Sequence, residues 1–105
     1  MEITRVGMVG LGTMGAGIAQ LCLQAGFETV GREITPQLAE RGHGQIARFL
    51  ERNVEKGRMT AEERDAALGR LTLTTELEDL AGCDIVIEAI VEQLEPKREL
   101  FAALD

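Results

Sequence analysis

Three glycines near the start of the chain carry the first chemical signal. Gly10-Leu11-Gly12-Thr13-Met14-Gly15 reads G-x-G-x-x-G, directly after a short β-favouring run, Val6 to Val9. An apolar helical stretch follows at once, and in that setting each glycine has a task. Gly10 permits the tight turn out of the strand. Gly12 lets the backbone approach a pyrophosphate with no Cβ in the way. Gly15 lets the helix pack closely on the sheet. Thr13 and Met14 fall at the helix start, where free N–H groups and the positive end of the dipole favour phosphate. The chemistry implied is the grip on a dinucleotide.

The second signal is Glu33, eighteen residues past Gly15 and at the end of a second strand. An acid at that point hydrogen-bonds the ribose hydroxyls of the adenosine half. A carboxylate there repels a 2′-phosphate, so NAD is favoured over NADP. Arg32 is adjacent. Were Arg32 to face the ribose instead, NADP would be tolerated.

Groups for other chemistry are scarce. His43 is the only histidine and lies mid-helix between Gly42 and Gly44. It is read as an exposed helix residue, far in sequence from the strand ends. Asn53 is the only asparagine, and serine is absent. The two cysteines, Cys22 and Cys83, have no metal-ligand spacing. They read as reduced, largely buried thiols of a cytoplasmic protein. No catalytic residue and no metal ligand is expected within the chain.

Composition limits the function classes. The chain has 105 residues, one domain at most, and is 45% hydrophobic, enough for a core. Its formal net charge of −7, with 28% charged residues, argues against nucleic acid. Tyr and Trp are absent, which removes the usual base-stacking platforms. No apolar run approaches the ~20 residues that span a bilayer. The opening Met1-Glu2-Ile3-Thr4-Arg5 is not a signal peptide, because glycines interrupt the apolar stretch behind it.

The elements that must position these residues alternate. Strand one is Val6–Val9, and a helix follows from Met14 to Ala25, stopped by Gly26. Phe27–Val30 reads as strand two, weakened by Gly31. Thr35-Pro36 opens a helix that runs to about Lys56. Gly42 and Gly44 inside it each cost roughly 1 kcal/mol against Ala. Gly57 ends it, and Thr60-Ala61-Glu62-Glu63 is a capping box for a further helix ending near Gly69. Residues 36–69 thus form a helical hairpin. Leu71–Thr74 is strand three, a short helix surrounds Leu77–Ala81, and Asp84–Ala89 is strand four. Strand four is apolar enough to be central in a parallel sheet. Pro96–Leu104 is a last helix. The class is α/β, a Rossmann-type doubly wound parallel sheet of four strands, incomplete by comparison with a full fold of this kind.

The residues also carry a resemblance. Val6-Gly7-Met8-Val9-Gly10-Leu11-Gly12-Thr13-Met14-Gly15-Ala16-Gly17-Ile18-Ala19-Gln20 closely resembles the start of the 3-hydroxyacyl-CoA dehydrogenases. Asp84-Ile85-Val86-Ile87-Glu88-Ala89-Ile90-Val91-Glu92, then Lys97 and Leu100-Phe101, is the second match. The hairpin fits as well, so the resemblance covers essentially the whole chain. It implies oxidation of the 3-hydroxyl of an acyl-CoA with NAD, as in β-oxidation. It implies that Glu92 and Lys97 contact the cofactor near its nicotinamide half, with Ala89 and Ile90 also counted among the cofactor-binding residues. It places Lys56 where a family lysine meets CoA. Arg48, Arg52 and Lys56 are spaced i, i+4, i+8 and could share that helix face, or they could form a solvated face paired with Glu51 and Glu55. Phe49 stands where some members carry a CoA-bonding serine, Glu33 where aspartate is usual, and Gly31 where a bulkier apolar residue is usual.

Hydride transfer needs a base for the hydroxyl proton. The family's histidine, glutamate, serine and asparagine come from Asn-Thr-Ser and His-Phe-x-Asn-Pro stretches that do not occur here. Its C-terminal helical substrate and dimerisation domain is also missing from residues 1–105. The chain alone is therefore expected to bind cofactor without turnover. Strand four is then expected to present an apolar sheet edge that self-associates, as a homodimer or otherwise. The alternatives are a related dehydrogenase of the 3-hydroxyisobutyrate or 6-phosphogluconate type, and a non-enzymatic nucleotide-sensing module.

Overall fold

The computed structural model describes residues 2–89. Strand β1 (Arg5–Val9) is followed by helix α1 (Thr13–Gln24), β2 (Glu28–Arg32), α2 (Pro36–Glu55), α3 (Ala61–Gly69) and β3 (Leu71–Thr74). A 3-10 turn at Leu77–Leu80 leads into β4 (Ile85–Glu88). All strand pairs are parallel and the order is β3-β2-β1-β4. That order places β1 and its turn in the middle of the described sheet, as a doubly wound nucleotide fold requires. The helix expected over Pro96–Leu104 lies outside the described residues.

Local sequence explains most boundaries. Thr35 accepts a hydrogen bond from the Leu38 N–H, with Pro36 in the first turn of α2. Thr60 and Glu63 form the reciprocal capping box of α3. Gly26 and Gly57 take φ of 97° and 72° just past α1 and α2, a conformation that glycine adopts without penalty. Met8, Ala16, Ala19, Leu23, Ile46 and Leu50 form the core that joins β1, α1 and α2. Glu51 of α2 pairs with Arg64 of α3 at 2.5 Å, so it does not serve the arginines on its own helix.

Strand two departs from its expected span. It runs through Gly31 to Arg32, with Gly31 paired to Met8 on one side and Leu73 on the other. Lack of a side chain does not end the strand because Leu11 supplies the packing. A Cβ on Gly31 would lie 2.8 Å from Leu11 Cδ1. Gly42 faces the same residue from α2, where a Cβ would lie 2.5 Å from Leu11 Cβ. Leu11 is 2% exposed, wedged between a strand glycine and a helix glycine. This accounts for Gly31 and shows that Gly42 is a close-approach glycine, whereas a Cβ on Gly44 would meet only Arg48 Nη1 at 3.8 Å.

The expected helix at 77–81 is a 3-10 turn, too short to gather α-helical bonds. Cys22 and Cys83 are half-buried rather than largely buried, Cys83 packing against the cluster of Val9, Val30 and Leu80. Strand four is not central among the described residues: it pairs only with β1, and Ile85 and Val86 are 42% and 47% exposed.

β4 is tied to the start of β1 by one side chain. Asp84 Oδ2 accepts from the Thr4 and Arg5 N–H groups at 2.8 and 2.9 Å and from the Thr4 hydroxyl at 3.2 Å. The two backbone hydrogen bonds hold its carboxyl below the ordinary aspartate value.

Gly42→Ala should destabilise, because overpacking against Leu11 costs about 1–3 kcal/mol and outweighs a helix-propensity gain of about 1 kcal/mol. Gly44→Ala should stabilise by about 1 kcal/mol. Urea midpoints measure both, and a raised midpoint for Gly42→Ala would remove the Leu11 wedge from the account. The depressed Asp84 value means its stabilising contribution is present above the unfolded-state value and is lost as pH falls through the folded one. Asp84→Asn should therefore lower the thermal midpoint at pH 7 and flatten its decline towards pH 2. An unchanged pH profile in the variant would contradict that role.

Candidate functional site

The turn between β1 and α1 is held from three directions. Gly10 has φ of 97°, and its N–H donates to the Arg32 carbonyl at 2.9 Å. The Leu11 N–H donates to Glu33 Oε2 at 2.7 Å. Gly15 lies so close to the turn that a Cβ there would sit 1.9 Å from the Gly10 carbonyl oxygen. Any side chain at Gly15 would force α1 away from the strand. Gly12 is the N-cap of α1 and offers no side-chain cap, so the first-turn N–H groups keep their capacity for an outside acceptor. Those open donors, at a turn that no Cβ crowds, fit the phosphates of a dinucleotide.

Glu33 and Arg32 are now distinguished. Arg32 Nε donates to the Thr75 carbonyl at 3.1 Å, which draws its side chain to the β3 end. The Glu33 carboxylate instead faces the glycine turn and also accepts from the Ile34 N–H at 3.2 Å. Two N–H donors leave further lone-pair positions on the carboxylate for hydroxyl donors. Ala89 closes the other flank: it is 2% exposed, its N–H donates to the Val9 carbonyl at 2.8 Å, and its Cβ lies 3.4 Å from the Gly15 Cβ position. The structure thus brings Gly10, Gly12, Thr13, Gly15, Glu33 and Ala89 to one end of the sheet. Met14 is there too and is 54% exposed. Ile90, Glu92 and Lys97 lie outside the described residues.

The expected cationic face on α2 separates. Arg48 lines a cavity of about 300 Å³ together with Gly12, Thr13 and Glu33. The Arg52 guanidinium sits over the Phe49 ring at 5.7 Å, and Lys56 is the C-cap of the helix. Residues spaced by four drift about 40° per step around a helix, so the three do not stay on one line. Two residues passed over in the sequence line the same cavity as Arg48, namely Arg41 and Gln45. Gln45 Nε2 donates to the Thr13 hydroxyl at 3.4 Å. Their i, i+4, i+7 spacing was the available signal. His43 is exposed, as expected, and lines a separate groove of about 620 Å³ between α2 and β3 with Glu40. No cluster of metal-ligating side chains occurs among the described residues. None of the described helices is long and apolar enough to cross a membrane.

A parallel β-α-β unit with a glycine turn, an uncapped helix and an acid at the end of β2 defines a Rossmann-type dinucleotide-binding protein. Comparison with known proteins narrows this. The sequence profile of the family described as "3-hydroxyacyl-CoA dehydrogenase, NAD binding domain" matches residues 5–105. The chain belongs to that family, and the part it matches is the NAD-binding domain. It is 48% identical over 103 residues to a 3-hydroxybutyryl-CoA dehydrogenase of Mycobacterium tuberculosis, covering 98% of this chain and 36% of that protein. It is 38% identical over 104 residues to the 3-hydroxyadipyl-CoA dehydrogenase of Escherichia coli, covering 99% of this chain and 22% of the relative. The crystal structure of FadB2 from M. tuberculosis superposes with a TM-score of 0.86 at 48% identity, over 100% of this chain and 37% of that one. The chain thus spans little more than a third of the length of the M. tuberculosis relative and about a fifth of the E. coli one.

Proposed function

We propose that this chain is the cofactor-holding part of an enzyme that oxidises 3-hydroxyacyl-CoA to 3-ketoacyl-CoA with NAD. The observation that carries the reading is the Glu33 carboxylate bonded to the glycine turn beside the uncapped start of α1. In this reading Gly10, Gly12, Thr13, Met14 and Gly15 cradle the diphosphate, and Glu33 accepts hydrogen bonds from the adenosine ribose. Ala89 shapes the floor beneath the second half of the cofactor. The family resemblance adds Glu92 and Lys97 near the nicotinamide, Ile90 beside the cofactor and Lys56 as a contact to CoA, with Arg52, one turn before Lys56 on α2, as a further cation for the CoA phosphates. When bound, NAD supplies the hydride acceptor. The chain positions it, excludes a 2′-phosphate through Glu33 and provides no base for the hydroxyl proton. The half-buried thiols Cys22 and Cys83 suit a reducing compartment, and we assign the protein to the cytoplasm.

Calorimetry with NAD and NADH tests the reading. The chain should bind both, with NADP weaker, and Glu33→Ala should weaken NAD by on the order of ten-fold while narrowing the gap to NADP. Mixed with NADH and acetoacetyl-CoA, the chain should show no loss of nicotinamide absorbance. Absence of heat at millimolar NAD would sink the proposal. The exposed Ile85 and Val86 on β4 further support self-association through that strand, as in a homodimer. Sedimentation should then show mass rising with concentration, and Val86→Lys should shift it towards the monomer. A single monomeric species across the micromolar range would count against this.

A further inference from the structure

Two cations on α2 face the glycine turn with no ion-pair partner among the described residues. Arg41 and Arg48 line the same cavity as Gly12, Thr13 and Glu33. The ion pairs found among the described residues belong to Arg64. Seven residues is close to two helical turns, so Arg41 and Arg48 lie on one line along α2. Gln45 sits between them, and its amide donates to the hydroxyl of Thr13, the first residue of α1. That contact sets the mid-point of the pair against the start of α1, one turn of α2 to either side.

The charge balance of the crevice explains what they are for. A dinucleotide diphosphate carries two negative charges. The helix start offers only about half an elementary charge. The chain as a whole is at −7, and Glu33 adds a carboxylate to the same cavity. Arg41 and Arg48 are the formal cations in that lining. Guanidinium groups match phosphate oxygens with paired donors, which suits the task better than a diffuse field.

We infer that Arg41 and Arg48 are diphosphate-binding residues that reach from α2 across to a nucleoside diphosphate seated on the glycine turn. The inference rests on the nucleotide reading given above and adds a second wall to that site. A 2′-phosphate is the less suitable occupant. It would lie at the ribose corner against the Glu33 carboxylate, whereas the Gln45–Thr13 contact centres the arginines on the phosphate turn.

The test compares the native chain with the double variant Arg41→Gln/Arg48→Gln, titrated with ADP, NAD and NADP at low salt and at half-molar salt. Both arginines are exposed, so the variant should keep the native thermal midpoint. Affinity for all three ligands should fall together, by on the order of ten-fold at low salt. The native chain should lose affinity at high salt through screening, and the variant should lose much less. Arg41→Lys/Arg48→Lys should recover part of the loss, because charge returns without the planar fork. Unchanged ADP and NAD affinity in the glutamine variant would overturn the assignment. Loss confined to NADP would also overturn it, since the arginines would then serve the 2′-phosphate. Failure of the native chain to bind any of the three would overturn the nucleotide reading and this assignment with it.

Discussion

The Leu11 side chain fills the space that Gly31 and Gly42 leave empty, and its own N–H is held by Glu33. One residue therefore ties the glycine turn to β2, to α2 and to the acid just past the end of β2. A phosphate turn has to combine two opposed demands. Its backbone must be open to a ligand, yet it cannot collapse or wander when no ligand is bound. Glycines satisfy the first demand at a cost in chain entropy. Here Leu11 meets the second, by burying its side chain away from the ligand face and using its amide as a latch. Gly15 completes the arrangement by letting α1 press against the Gly10 carbonyl.

This constraint explains why two apparent weaknesses in the sequence are not weaknesses in the fold. A glycine inside a strand and another inside a long helix each lower local propensity. Both are the complement of a single leucine, which returns buried apolar contact to the same spot. The packing unit spans residues 11, 31 and 42, so no window of neighbouring residues contains it. Periodicity can show that a position is apolar, but it cannot show that a missing side chain is replaced by one from twenty residues away. For that reason the strand expected over Phe27–Val30 runs on through Gly31 to Arg32.

Other features were legible because their physics is local. The capping box at Thr60, the proline-capped start of α2 and the glycine stops at Gly26 and Gly57 involve residues within one turn of each other. The G-x-G-x-x-G turn and Glu33 were equally readable, since strand, turn and helix follow in order. The cationic face of α2 was only partly so. Arg48, Arg52 and Lys56 share a spacing that drifts around the helix, and only the packing of α2 against the turn shows which face meets the site. That packing selects Arg41, Gln45 and Arg48 and leaves Arg52 stacked on Phe49.

The contrast between Arg32 and Glu33 shows how alternation along a strand sends neighbouring side chains to different partners. Neighbouring residues at a strand end point to opposite faces. Arg32 is drawn to the Thr75 carbonyl, which leaves the turn side to Glu33. The longer reach of glutamate over aspartate is then an advantage in this chain, because the carboxylate must span to the Leu11 N–H and still present free lone pairs. A shorter acid would keep the charge but would have to bring the turn and the strand end closer to make the same bond. The bulk of Leu11, the absence of side chains at Gly31 and Gly42, and the length of Glu33 therefore form one set of compensating choices. Altering any one of them disturbs the packing and the hydrogen bond that hold the turn between β1 and α1.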